Sequence, residues 1–263
     1  MGHHGQMHAQ PGVRTCPDAP AEVETGLGTD ERRPLPTTSF RSRRSTLSGG
    51  QRETWERLWP RLGLSLGSHA GDREPLDTGA WFGRRAPVVL EIGCGSGTST
   101  LAMAADEPGV DVIAVEVYRR GLAQLLSAID REGVRNIRLI HGNAVDVLAH
   151  LIAPASLTGV RVFFPDPWPK ARHHKRRFLQ TGTIGLIADR LLPGGVLHAA
   201  TDHPGYAEHI GDVGDAEPRL RRAEPGDRLP ISVARPTTKY ETKAQEAGSA
   251  VTEFIWLRHS DHE

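Results

Sequence analysis

Short apolar runs, each followed by a glycine-rich or acidic turn and then by an amphipathic stretch, recur through the middle of the chain. Val88-Val89-Leu90-Glu91-Ile92 reads as a buried strand, Thr98 to Ala105 as a helix and Val112 to Val115 as a strand. Tyr118 to Ile129 follows as a helix and Ile137 to Ile140 as a third strand. Asp146 to Leu151 is helical in pattern and Val160 to Phe164 is a fourth strand. Phe178 to Leu192 is a helix closed by Pro193-Gly194-Gly195, and Val196 to Ala200 is a fifth strand. This alternation is what a parallel sheet with crossover helices requires. Leu220 to Ala223 and Phe254 to Leu257 read as two more strands with no long helix between them, so they are expected to pair antiparallel at one edge. Upstream, Ser48 or Gly50 can cap a helix in which Trp55, Leu58, Trp59 and Leu62 recur at spacings of three and four beneath exposed arginines.

Composition refines this picture at the ends. With 263 residues the chain can build one α/β domain, but 29 Gly and 19 Pro exceed what a packed domain of this size ordinarily needs. The surplus concentrates in residues 1–36, which are polar, Pro/Gly-rich and acidic up to Asp30, and are expected to be a disordered tail. Residues 37–80 form a basic segment with the amphipathic helix, and 81–263 the main domain. Net charge is zero, yet the charges are unevenly placed: eight arginines stand against three acids between Glu31 and Arg61, and Lys170 to Arg177 adds five cations and no acid. Two such clusters can make a basic face on a neutral protein. No apolar run is long enough for a membrane span, and the first residues lack the apolar stretch of a secretory signal, so a soluble cytoplasmic protein is expected. Cys16 and Cys94 offer neither a structural disulfide nor a zinc spacing, and the thirteen histidines are scattered, so no metal is expected.

Two stretches carry candidate chemistry. Glu91-Ile92-Gly93-Cys94-Gly95-Ser96-Gly97-Thr98 follows the first strand and opens a helix, where a glycine turn lets backbone approach a nucleotide-bearing cofactor. A dinucleotide fingerprint needs glycine at its sixth position, where this chain has Thr98, which argues against a nicotinamide cofactor. Glu116, after the second strand, has two acceptor oxygens for a pair of ribose hydroxyls. The second stretch is Phe163-Phe164-Pro165-Asp166-Pro167-Trp168-Pro169-Lys170-Ala171-Arg172-His173-His174-Lys175-Arg176-Arg177. Its prolines must end the fourth strand and place Asp166 in a stiff turn, directly before a block of cations suited to phosphates. Trp168 either stacks on a base or packs as a lid or core residue.

The pattern E-x-G-x-G-x-G resembles motif I of class I S-adenosylmethionine-dependent methyltransferases, and Gly142-Asn143-Ala144 stands where that family holds adenine. The F-F-P-D-P-W-x-K-x-R-H-x-K-R-R stretch, Ala200-Thr201-Asp202 and Arg235-Pro236-Thr237-Thr238-Lys239-Tyr240-Glu241 together resemble the bacterial tRNA (guanine-N7)-methyltransferases, in order from about Ser39 to Trp256. Ser39-Phe40-Arg41 with Arg43-Arg44 is similar to the basic segment before the fold in that family. The resemblance implies a Rossmann-like, doubly wound, mostly parallel sheet of seven strands with an antiparallel edge hairpin. It implies S-adenosylmethionine as cofactor, held by Glu91, the loop glycines Gly93, Gly95 and Gly97, Glu116, Asn143 and Asp166. Guanine or tRNA contacts would come from Lys170, Asp202, Thr238, Lys239, Tyr240 and Glu241, phosphate contacts from Arg172, Lys175, Arg176 and Arg177, and Asp166 would be catalytic. Asn143 departs from the Asp of other members; an amide still bonds adenine, so activity is expected to survive with altered affinity.

The reaction so implied is methyl transfer to N7 of a guanine in the variable loop of tRNA, at position 46. Guanine N7 is an exposed lone pair that needs no deprotonation, so alignment outweighs base catalysis. Asp166 as first choice and Asp202 as second can accept from guanine N1–H and N2–H₂; Asp202 can instead cap a helix near Pro204, and Glu241 can instead pair with Lys239 or Lys243. The alternatives are an exocyclic-amine methyltransferase, whose Asp-Pro-Pro-aromatic box lacks its second proline here, and a non-catalytic RNA-binding protein on the same fold. tRNA is the expected partner; no obligatory protein partner is evident, and a monomer or homodimer is expected.

Overall fold

The computed structural model describes residues 46–67, 74–237, 241–242 and 250–259. The acidic tail, the basic residues 39–44, Cys16, Lys243 and Thr238-Lys239-Tyr240 of the last motif lie outside the described residues. Among the described residues no helix is long and apolar enough to cross a membrane.

Helix α1 (Gly49–Leu62) starts at Ser48, whose hydroxyl accepts from Gln51 N while its own N–H donates to Gln51 Oε1, a reciprocal cap. It is followed by β1 (Gly63–Ser65), α2 (Thr78–Phe82), β2 (Val88–Ile92), α3 (Thr98–Asp106), β3 (Asp111–Glu116), α4 (Arg119–Glu132) and β4 (Ile137–His141). Then come α5 (Ala144–Asp146), a wider π turn over Val147–Leu151, β5 (Leu157–Phe163) and a 3₁₀ turn over Ala171–Arg176. The chain ends with α6 (Thr181–Arg190), β6 (Leu191–Thr201), α7 (Pro204–Asp215), β7 (Leu220–Arg222) and β8 (Thr252–Arg258).

The strands form a single sheet in the order β1-β4-β3-β2-β5-β6-β8-β7, parallel except that β8 runs antiparallel to both β6 and β7. It has eight strands where seven were expected. The added strand is β1, three residues that pair with Leu139–His141 at the edge and are too short for periodicity to announce. The antiparallel edge is present, but β8 inserts between β6 and β7 and a long segment separates the two, so it is no local hairpin. The helix expected to reach Leu192 stops at Arg190, because Leu191 already pairs with Leu157 and the Pro193-Gly194-Gly195 stretch is a bulge inside β6.

Alternation along the strands divides the core into two layers. Leu90, Ile92, Ile113, Val115, Val160 and Val162 pack with Ile184 and Ile187 of α6 and Ile210 of α7. On the opposite face Val112, Ala114, Ile137 and Leu139 pack beneath α4, with Trp55, Leu58 and Leu62 of α1 stacked outside. The chain leaves β2 toward β3 and β4 on one side and returns to β5 and β6 on the other. The carboxyl ends of β2 and β5 are therefore the point where the winding reverses, and they open the crevice in which such sheets bind ligands.

Candidate active site

The crevice is a cleft of about 160 Å³ lined by Ile92, Gly93, Glu116, Asn143, Phe163 and Asp166 among others. Four of the sequence candidates, Gly93, Glu116, Asn143 and Asp166, thus meet at one cavity from the ends of four different strands. In the glycine loop Gly93, Gly95 and Gly97 all take positive φ, at 73°, 57° and 76°. A side chain is strained at all three, and at Gly97 a Cβ would also lie 2.5 Å from the Leu125 side chain. Gly93 N and Cys94 N donate to Val115 O, and Gly95 N donates to Glu116 Oε2 at 2.9 Å. The other Glu116 oxygen accepts from Val117 N and Tyr118 N. Glu116 is therefore the clasp between the glycine loop and the turn after β3, with room on an ionised carboxylate for a further donor. Asn143 caps α5 through Oδ1, which accepts from Val145 N, leaving its amide nitrogen as the group to offer a ligand.

Sequence reading missed Gly121, on the first turn of α4. A Cβ there would sit 2.3 Å from Gly95 O, so this helix and the loop approach backbone to backbone. The signal was a glycine inside a helical pattern with no capping role. Gly121→Ala is expected to displace the loop and weaken cofactor binding about tenfold, roughly 1.4 kcal/mol, measurable by calorimetry.

Glu91 occupies the sheet face that carries α3. It is 3% exposed; Oε1 accepts from the Thr100 hydroxyl at 2.8 Å, and Oε2 is buried with no partner among the described residues. Burial raises its pKa to about 7, against the opposing effects of the Thr100 hydrogen bond and the Arg161 charge. Burial first, then the Glu116 and Glu91 charges, push the Cys94 thiol well above its usual range.

The Asp166 turn is strained and clamped. Phe164 and Trp168, two residues to either side of Asp166, have φ of 51° and 43°, a conformation costing on the order of 1–3 kcal/mol each for such residues. Phe164 N donates to Ala200 O, and Arg177 donates from Nε to Pro167 O at 2.9 Å and from Nη1 to Gly205 O at 3.2 Å. Trp168 is buried at 4% exposure, edge-on to His173 with Arg176 over its ring, so it packs beneath the turn rather than presenting a face to a base.

Residues 85–254 match the Methyltransf_4 family model, described as "Putative methyltransferase". The chain is 76% identical over 262 residues to the tRNA (guanine-N(7)-)-methyltransferase of Mycobacterium avium (strain 104), covering 98% of this chain and 100% of that protein. It is 69% identical over 262 residues to the protein of the same name from Mycobacterium tuberculosis (strain ATCC 25618 / H37Rv), covering 98% and 96%. The chain belongs to the tRNA (guanine-N7)-methyltransferase family.

Within this family fold the remaining candidates separate by placement. Lys170, Arg172 and Lys175 are exposed on and before the 3₁₀ turn, just past Asp166. Arg177 corrects the expectation of a phosphate contact: it is 3% exposed, lies over the Tyr206 ring, donates to carbonyls of the Asp166 turn and of α7, and meets the His174 ring nitrogen through Nη2 at 3.2 Å. Asp202 is exposed after β6 and does not cap α7; His203 does, its Nδ1 accepting from Tyr206 N. Glu241 is paired with Arg235, an ion pair the sequence did not suggest; Lys239 and Lys243 lie outside the described residues.

Proposed function

We propose that this methyltransferase transfers the methyl group of S-adenosylmethionine to N7 of a guanine in the variable loop of tRNA, in the cytoplasm. The observation that carries this reading is the convergence of Glu116, Asn143, Asp166 and the glycine loop on one cleft at the switch point of the sheet. The residues fit the cofactor: Glu116 and Asp166 line the cleft with no Lys, Arg or His beside them, which suits a cationic ligand, and Glu91 Oε2, near the end of β2, is a buried acceptor with no partner among the described residues. Glu91, Gly93, Gly95, Gly97, Glu116 and Asn143 would hold it, with Asp166 at its reacting end.

What S-adenosylmethionine supplies is an electrophilic methyl on a sulfonium, which leaves as S-adenosylhomocysteine when the N7 lone pair takes the methyl. Because N7 carries no proton, the protein needs no base to free it, and its contribution is orientation of the guanine in line with the methyl, worth up to roughly 7–11 kcal/mol in ideal cases. Asp166 accepts from guanine N1–H and N2–H₂ and offsets the positive charge that arrives on the ring. Asp202, on the next turn, takes the second position. Lys170, Thr238, Lys239 and Tyr240 supply the remaining base and ribose contacts, with Arg172, Lys175 and Arg176 on phosphates.

The test is incubation with unmodified tRNA and labelled S-adenosylmethionine, followed by nucleoside mass spectrometry. N7-methylguanosine in the variable loop supports the reading; label on an exocyclic amine, or tRNA binding without label, overturns it. Replacing Arg172 and Lys175 by alanine is expected to weaken tRNA binding and to flatten the slope of log K against log salt by about one for each lost phosphate contact, read by filter binding.

A further inference from the structure

One face of the central sheet is crossed by a row of buried ionisable residues, of which the proposed chemistry uses only the first. In register across β2, β5 and β6 stand Glu91, Arg161 and His198, the last two fully buried. The segment that leads to the T-K-Y-E box lies over this row: Ser232 N donates to Glu107 Oε1, and Arg161 Nη2 donates to Ser232 O and to Glu107 Oε2. At the end of the row is Arg235, whose side chain is 4% exposed.

Arg235 reaches three parts of the site at once. Nη1 and Nη2 donate to the two oxygens of Glu241, and Nη2 also donates to Glu253 Oε1 at 2.7 Å. The guanidinium lies 5.5 Å from the Phe163 ring centre and 5.1 Å from that of Phe164, the two residues that enter the Asp166 turn. Glu253 is fixed in turn by His198 Nε2 at 2.9 Å, and the His198 ring meets Phe163 edge-on at 4.8 Å. The His198 hydrogen bond, then Arg235, hold the Glu253 carboxyl down at about 2, so it remains an ionised partner at any working pH. Phe163 is thus bracketed by Arg235 and His198, while the same guanidinium grips the last residue of the T-K-Y-E box. Only a planar fork satisfies two carboxylates and stacks on aromatic rings together; an ammonium satisfies the charge without the geometry.

We propose that Arg235 is a positioning residue that ties Glu241 and Glu253 to Phe163 and Phe164 at the entry of the Asp166 turn, so that Glu241 acts by holding this turn in place rather than by its own contact with the guanine. This rests on the reading of Asp166 as part of the guanine site. The experiment compares Arg235→Met, Arg235→Lys and wild type for kcat and KM with tRNA, cofactor Kd by calorimetry, and Tm. Arg235→Met is expected to lower kcat/KM for tRNA at least about tenfold, as small misplacements of reacting groups do, with cofactor Kd unchanged. Arg235→Lys is expected to recover part of that loss. Activity of Arg235→Met equal to wild type, or a fall in cofactor affinity parallel to the fall in activity, overturns the proposal. Should Arg235→Met fail to fold, Glu241→Gln, which keeps the shape and weakens the fork, is read by the same split. Failure of the wild type to form N7-methylguanosine would instead strike the function on which the proposal rests.

Discussion

Replacing Asp166 by alanine is expected to lower kcat by roughly 10²–10³-fold, the usual cost of removing one preorganised charged group from a reaction centre, while tRNA binding and its salt dependence stay nearly unchanged. Binding survives because the turn is not held by the Asp166 side chain. Its anchors are Phe164 N on Ala200 O and Arg177 on Pro167 O and Gly205 O, and all of them persist in the variant. The Asp166 carboxylate lines the cleft and takes no hydrogen bond from the described residues, so its removal breaks none of these anchors. Steady-state kinetics with tRNA in excess, beside filter binding at two salt concentrations, separate the two effects. Wild-type kcat in Asp166→Ala would remove this residue from the reaction centre and leave Asp202 as the acid facing the base.

Glu91→Gln is expected to act in two directions. With the pKa raised from its ordinary 4.5 to about 7, the folded protein holds a proton there that the unfolded chain has already lost. The group's favourable contribution is therefore fully present below pH 4.5 and is lost as pH rises through about 7. Above that, a buried carboxylate costs on the order of 3 kcal/mol, an upper figure that any buried water would reduce. The glutamine variant without ligand should accordingly melt higher than wild type at pH 8 and nearly level with it at pH 4.5. Cofactor affinity should fall roughly ten- to a hundredfold, because the charged acceptor at Oε2 is gone and a charge-assisted hydrogen bond is worth about 1.5–3 kcal/mol. Melting curves at the two pH values and calorimetric titration check both. Glutamine that leaves both quantities unchanged at pH 8 would mean that Glu91 neither strains the fold nor meets the cofactor.

The candidate site was legible where local chemistry constrains the backbone. Three spaced glycines after an apolar run announce a left-handed loop, and all three adopt it. Prolines at 165, 167 and 169 announce the end of β5, and the strand stops at Phe163. Charged residues were harder to place, since a cation in a basic run looks alike whether it faces solvent or carbonyls. Arg177 sits one residue beyond Arg176 and ends buried, because α7 brings Gly205 O and the Tyr206 ring over it. Arg161 and His198 interrupt apolar strand runs, and that interruption was the available signal for the buried polar row.

The sequence by itself determined the order of most strands and helices along the chain, the glycine loop and the proline-bounded Asp166 turn, because these rest on side-chain period and on the few φ values that Gly and Pro permit, and its motifs carried the family resemblance. Tertiary structure alone decided that β8 inserts between β6 and β7, that β1 adds an eighth strand, that Gly121 touches Gly95, and that Arg235 joins Glu241 to the Phe163-Phe164 turn. Each of these is a contact between segments far apart along the chain. Their partners are chosen by which surfaces remain to be buried once the sheet has formed, and no local pattern records that choice.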